Sequence, residues 1–167
     1  MIHIHPITPE HIAEVLKVQH LCYKPELNET SPAFLKKQTL FPKGCLGAWE
    51  DGQLCGYVFS HPWRVGEIVP LHTDSYAIPT DADCLYIHDL AVDPNYRSKM
   101  IGQAILKSLF DIAAEDRWTI FALVAVQDSE PFWSRWGFEP QKGFEYVPGV
   151  KATYMVCRGF PFFKPHC

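Results

Sequence analysis

Residues 85–109, LYIHDLAVDPNYRSKMIGQAILKSL, constrain the fold more than any other stretch of the chain. Leu85 to Val92 is predominantly apolar and reads as a strand. Asp93-Pro94-Asn95 ends it, because Pro lacks an N–H donor and Asp and Asn favour turns. From Arg97 to roughly Arg117 apolar residues return at helical spacing, at Ile101, Ala104, Ile105, Leu109 and Ile112. Thr119 to Val126 is a continuous β-rich apolar run, as expected of a buried strand parallel to the first. Strand, helix and strand in that order imply a right-handed crossover.

The flanking segments add elements of both kinds. Ile2 to Ile7 alternates with period two and reads as a strand. Its His3 and His5 share a face, which reads as an exposed strand face rather than a metal pair. Thr8-Pro9 starts a helix carrying Ile12, Val15, Leu16, Gln19 and Cys22 on one stripe. After a polar linker, Tyr23 to Thr30, Ser31-Pro32 starts a shorter helix that must end by Pro42. That linker reads as a surface connection that can border a pocket. Cys45–Glu50 and Leu54–Ser60 form a hairpin around Asp51-Gly52. His61 to Asp83 reads as an irregular insertion, with Trp63, Arg64, His72 and Tyr76 available to line a pocket. Near the end, a short helix over Phe132–Trp136 stops at Gly137. Gln141–Tyr146 and Ala152–Arg158 read as the last strands. The tail from Phe160 to Pro165 is aromatic and can pack on the domain or on a second copy.

Composition narrows the function. The 167 residues suit a single domain spanning residues 1–167. A net charge of −4 with no basic run argues against nucleic acid as a partner. Six cysteines without a Cys-x-x-Cys pair, Cys167 among them, suit reduced thiols in a cytoplasmic protein. No apolar run reaches the ~20 residues of a membrane span, so no membrane partner is expected. The polymeric state, monomer or homodimer, is left open.

The loop Arg97-Ser98-Lys99-Met100-Ile101-Gly102 places backbone N–H groups at a helix start beside two cations, which suits a pyrophosphate. The order β-α-α-β-β-β-α-β-α-β-β, with LAVDPNYRSKMIGQAIL at 90–106 and PFWSRWGF at 131–138, resembles the GNAT superfamily of acetyl-CoA-dependent N-acetyltransferases. The superfamily pattern [Arg/Gln]-x-x-Gly-x-[Gly/Ala] is met here with Met100 in place of the first Gly. YIHDLAVDPNYR and GCLGAWEDGQLCGYVFS more narrowly resemble the arylalkylamine N-acetyltransferase branch. Tyr86 and His88 stand at that branch's two histidine positions.

The resemblance implies an α/β (α+β) GNAT fold, with a mixed sheet of about seven strands and about four helices on its two faces. It implies acetyl-CoA as co-substrate and no metal. The pantetheine arm is expected along Leu90, Ala91 and Val92, whose backbone N–H groups would support the tetrahedral oxyanion. The diphosphate is expected on Arg97, Ser98, Lys99, Met100, Ile101, Gly102 and Gln103. Gln127 either meets the coenzyme or caps a strand end, and Phe132 and Trp133 wall the arm or fill core.

The chemistry fits a primary amine of a small molecule, aryl- or alkylamine-like. An alkylammonium of pKa ~10 must lose a proton before it attacks a thioester, and histidine titrates in the useful range. His88 is therefore the expected base. Tyr86, His88, Leu90 and Val92 would share one strand face, with Asp89 on the other. Trp133 stands where relatives carry a proton-donating Tyr and cannot serve as one. The acid is then Tyr86, Ser129, Tyr146 or water, or none is needed. Two other readings stay open: a protein or peptide N-acetyltransferase, and a coenzyme-A-binding module without catalysis.

Overall fold

The computed structural model describes residues 1–165. Its seven strands form one sheet in the order β1-β2-β3-β4-β5-β7-β6. The strands are β1 (Ile2–Pro6), β2 (Cys45–Glu50), β3 (Gln53–Trp63), β4 (Cys84–Val92), β5 (Ile120–Ala125), β6 (Glu139–Val147) and β7 (Val150–Arg158). The helices are α1 (Ile12–Cys22), α2 (Ser31–Leu40), α3 (Ile101–Glu115) and α4 (Glu130–Ser134). Only β4 and β5 run parallel; every other neighbouring pair is antiparallel. The mixed seven-stranded sheet with helices on both faces, expected from the resemblance, is the architecture observed.

Two apolar layers sandwich the sheet. On one face α3 lays Ile101, Ile105, Leu109 and Phe110 against Leu85, Ile87, Phe121 and Leu123. On the other, Ile12, Val15 and Val18 of α1 and Phe34 of α2 cover Tyr57, Phe59 and Ala91. Both faces are covered because the apolar residues of the central strands β3 and β5 alternate between the two sides of the sheet.

Several boundaries differ from the sequence reading. His61-Pro62-Trp63 continues β3, paired with Tyr86, Leu85 and Cys84, so the insertion begins only at residue 64. Pro62 fits there because its missing N–H faces away from the partner bond. The helix after the Asp93 turn starts at Ile101, not Arg97, because Met100 takes a left-handed conformation (φ 56°) and residues 94–99 form a 3-10 turn. The last helix is α4, Glu130–Ser134, two residues earlier than expected, since Pro131 sits in its first turn. The linker before α2 is not a surface connection: Leu27 and Glu29 are buried within it. Part of the tail packs on the domain, with Phe163 against Trp136 and the Arg135 guanidinium 4.2 Å from its ring. His3 and His5 are exposed, and His5 stacks on Trp49. Cys22, Cys45, Cys55, Cys84 and Cys157 are free thiols, and Cys167 lies outside the described residues. Among the described residues no helix is long and apolar enough to cross a membrane.

The defining irregularity lies in β4. Phe59 and Ser60 are adjacent on β3, yet they face Asp89 and Ile87, which leaves His88 as an extra residue. This β-bulge bends the strand. Beyond it β4 and β5 part: their pairing runs only from Leu85↔Phe121 to Ile87↔Leu123. Close approach of β3 and β4 past the bulge needs Gly56, where a Cβ would lie 2.9 Å from the Ala91 carbonyl oxygen. Gly56→Ala is expected to destabilise the fold by about 1–3 kcal/mol through this overpacking. It should appear as a lower urea midpoint at unchanged slope; an unchanged midpoint would mean that β3 yields freely there.

Candidate active site

Where β4 and β5 separate, the structure opens a cleft of about 540 Å³. Leu90, Ala91 and Val92 form one wall and Val124, Val126 and Gln127 the other. The Asp93 N–H donates to Cys55 of β3. Alternate residues of a strand direct their polar groups to opposite edges, so Leu90 and Val92 direct theirs into the gap. Their carbonyls there accept from Tyr23 Oη (2.6 Å, to Leu90) and from Cys22 Sγ and Arg97 Nε (3.2 and 3.3 Å, to Val92).

The bulge also reassigns faces. Leu85, Ile87, Leu90 and Val92 all pack toward α3. Tyr86 lies in the opposite layer, and Asp89 accepts from Tyr57 Oη at 2.9 Å in that same layer. Tyr86 and His88 therefore do not share a face with Leu90 and Val92, and Asp89 lies on their side. The extra residue at 88 inverts the alternation expected of a regular strand.

At the mouth, α3 begins directly beside the cleft. Ala104 N–H closes the first turn onto Met100, which leaves the amides of Ile101, Gly102 and Gln103 without an intrahelical acceptor. Arg97, Gly102 and Gln103 line the cleft. Lys99 is turned away into an ion pair with Glu50, Ile101 is buried in the core, and Met100 is exposed. The left-handed turn at Met100 gives a physical reason for the glycine that the superfamily pattern carries at this position.

Behind the cleft sits a buried polar cluster that residue patterns alone did not identify. His88 Nε2 lies 2.9 Å from Glu29 Oε1, with the two side chains 1% and 2% exposed. The same carboxylate is paired with the fully buried ammonium of Lys37 in α2. Its other oxygen accepts from the His72 N–H at 3.2 Å. His61 of β3 packs 6.2 Å from His88 and 5.7 Å from Tyr86, ring centre to ring centre. Lys37 had one visible signal: it falls on the same stripe of α2 as Ala33 and Phe34. His61 was hidden by taking residues 61–63 for loop, and Glu29 carried no local signal.

The electrostatics follow from burial. Burial alone would raise the Glu29 carboxyl, but His88 and Lys37 together outweigh it and hold it well below the usual carboxylate range. Burial, then the Lys37 charge, lowers His88 despite Glu29 beside it. The contacts read as a neutral imidazole donating to a carboxylate already paired with the Lys37 ammonium. Burial also pushes the Asp89 carboxyl up and the His61 imidazole down to about 3.

The remaining expected residues are dispersed. Gln127 lines the cleft, but its amide spans the gap, donating to Cys22 O (2.9 Å) and accepting from Lys24 N–H (3.0 Å). Phe132 and Trp133 line the cleft, and Trp133 also packs on Phe138. Of the candidate acids, Ser129 and Tyr146 reach the cleft, and Tyr146 Oη donates to Val69 O. Tyr86 is buried behind it, and Ser98 does not line it. Within the 61–83 segment, Trp63 and Tyr76 pack around His61, while Arg64 pairs with Asp81 and Glu67.

The family model described as Acetyltransferase (GNAT) family matches residues 12–138, and the chain belongs to that family. No curated protein sequence matches it. Among solved structures it resembles the loading GNATL domain of CurA from Lyngbya majuscula, with TM-score 0.79 and 11% identity over 95% of this chain and 98% of that one. Ard1 from Thermoplasma volcanium superposes with TM-score 0.75 and 16% identity over 95% and 97% of the two chains. The PaiA N-acetyltransferase from Thermoplasma acidophilum, in complex with coenzyme A, does so with TM-score 0.70 and 15% identity over 95% and 99%. At these identities the likeness speaks for the fold alone.

Neutral burial of His61 has a measurable consequence. The unfolded chain binds a proton at that imidazole near 6.5, whereas the folded chain resists it until about 3. Its contribution to stability is complete above about 6.5 and is lost as pH falls toward 3. His61→Phe should therefore flatten the fall of the urea midpoint between those two values. An unchanged slope would mean that His61 is protonated in the folded state.

Proposed function

We propose that the protein is an acetyl-CoA-dependent N-acetyltransferase acting on the primary amine of a small molecule. The observation that carries this reading is the wedge between β4 and β5, with the polar groups of Leu90 and Val92 turned into it and three unpaired helix-start amides at its mouth. These residues fit the coenzyme. The amides of Ile101, Gly102 and Gln103 and the Arg97 guanidinium would hold the diphosphate. The edge of β4 would pair with the amide-bearing pantetheine arm as with an added strand. When bound, acetyl-CoA supplies the activated acyl group.

In this reading His88 takes the proton of the attacking ammonium, through Nδ1 or one intervening water. Glu29 accepts from Nε2–H, so the lone pair lies on Nδ1, which has no partner among the described residues. Nδ1 is itself buried, and the main chain is the part of His88 exposed in the cleft, so the amine or a water would have to enter past that backbone to reach it. The N–H groups of Leu90 and Val92 would stabilise the carbonyl oxygen as charge develops on it. Trp133 would shape the thioester pocket without donating a proton. Thiol departure is tolerable unaided at a thiol pKa of ~8.5, and Ser129 and Tyr146 stand nearby. Tyr23, Leu27, Leu71 and Tyr146 contribute apolar and aromatic surface to the cleft, which suits a compact aryl- or alkylamine.

Thiol release from acetyl-CoA across a panel of small amines and N-terminal peptides tests the assignment. Small amines should be preferred; a preference for peptides would overturn the substrate class, and no release with any acceptor would overturn the activity. His88→Ala should lower kcat by roughly 10²–10⁴ while coenzyme affinity stays within about twofold. Because burial and Lys37 hold the wild-type imidazole below its ordinary value of 6.5, the acid-side fall of kcat should lie below that pH. An unaltered kcat in His88→Ala would remove His88 from the mechanism.

A further inference from the structure

Taking His88 as the base proposed above, we infer that Glu29 is its positioning residue, fixing the imidazole in the Nε2–H tautomer, and that Lys37 holds Glu29 ionised for that role. A neutral imidazole carries one proton and can place it on either nitrogen. A base whose lone pair points the wrong way is inactive however well it is located, so the tautomer must be set by a partner.

Glu29 is equipped to set it. Its carboxylate is surrounded by donors: Lys37 Nζ and His88 Nε2–H at Oε1, and the His72 N–H at Oε2. With a cation already on Oε1, a carboxylic acid proton there is disfavoured, and the hydrogen between Glu29 and His88 belongs to the imidazole. The main chain of Glu29 is held as well. Gln19 of α1, itself buried, donates to Glu29 O at 2.9 Å and accepts from Glu29 N–H at 2.6 Å. A carboxylate that is fixed at its backbone and bonded at both oxygens can aim a ring closely.

Lys37 gives the arrangement its charge balance. A lone buried carboxylate would be expensive and would draw a proton onto His88, which would then cease to be a base. With the ammonium beside it the pair is neutral, and the imidazole stays uncharged. The other titratable groups near His88 are His61 from β3 and Tyr86 and Asp89 from β4. His61 and Tyr86 are kept uncharged by burial, and Asp89 is engaged by Tyr57. Glu29 is the carboxylate in hydrogen-bond contact with the ring.

The test uses the full chain and a paired substitution, Glu29→Gln with Lys37→Met. Removing both charges together avoids stranding a buried ion, which would unfold many proteins. Long-range ¹H–¹⁵N NMR of the wild type should show His88 protonated on Nε2 with a pyridine-like Nδ1. In the double variant the proton should distribute over both nitrogens. There kcat should fall roughly ten- to a hundredfold, as expected for a misaimed catalytic group, with KM for acetyl-CoA unchanged. A double variant that retains both the single tautomer and wild-type kcat overturns the proposal. So does a wild-type His88 protonated on Nδ1, a reading that needs no variant to fold. His88→Ala separates the layers: if it abolishes turnover while the double variant behaves as wild type, the positioning role fails and the base stands.

Discussion

The one extra residue in β4 is the constraint on which the rest of the structure depends. Apolar residues occupy 85 and 87, then 90 and 92, a pattern whose parity changes once. In a regular strand Asp89 would follow Leu85 and Ile87 onto the face covered by α3, an apolar layer with no donor for it. The bulge at His88 lets both apolar pairs face α3 and turns Asp89 to Tyr57. The same local bend draws β4 away from β5, so one packing requirement produces both the cleft and the inward histidine.

The buried Glu29–Lys37 ion pair lies in one of the two layers and distinguishes them. The α3 face is a dry core of aliphatic and aromatic residues. The face covered by α1 and α2 contains Glu29, Lys37, His61, His88 and Asp89, each partnered or kept uncharged by its surroundings. Breaking such a buried pair by removing one member costs about 3–5 kcal/mol, whereas replacing both by apolar groups is often neutral. Stability alone therefore gives no reason for an ion pair at this depth. Its position against the one histidine bordering the cleft does.

Much of the fold was legible because it rests on local patterns. The Asp93-Pro94 break, the 3.6-residue stripe of α3 and the apolar run of β5 each declare their element within a dozen residues. The superfamily motif drew on the same stretch, and the family match bears it out. The departures arose where tertiary contacts override local signals. The proline at 62 looked like a strand terminator but sits at a strand position that needs no donor. Met100, a poor residue for a left-handed turn, concealed the start of α3. The bulge was written in the parity change across 87–90, which a strictly alternating reading of the strand passes over. The Glu29–His88 contact joins residues 59 positions apart, and no periodicity carries information over that distance.

The segment between α1 and α2 accounts for how the wedge holds its shape. Once β4 and β5 separate, each has polar groups facing the gap that no longer reach the other strand. Tyr23 and Cys22 satisfy the β4 carbonyls, and the Gln127 amide, beyond the end of β5, bonds Cys22 and Lys24. Seven residues or fewer farther on, Glu29 is bound to Gln19, Lys37 and His88. The segment thus gives the β4 carbonyls partners, ties down the Gln127 side chain beyond β5 and fixes the histidine behind them. Widening the gap would break several of these bonds at once, in surroundings where an unmade hydrogen bond costs roughly 1–3 kcal/mol. The bonds that brace the cleft are internal to the folded chain, and so is the contact that holds the His88 ring against Glu29.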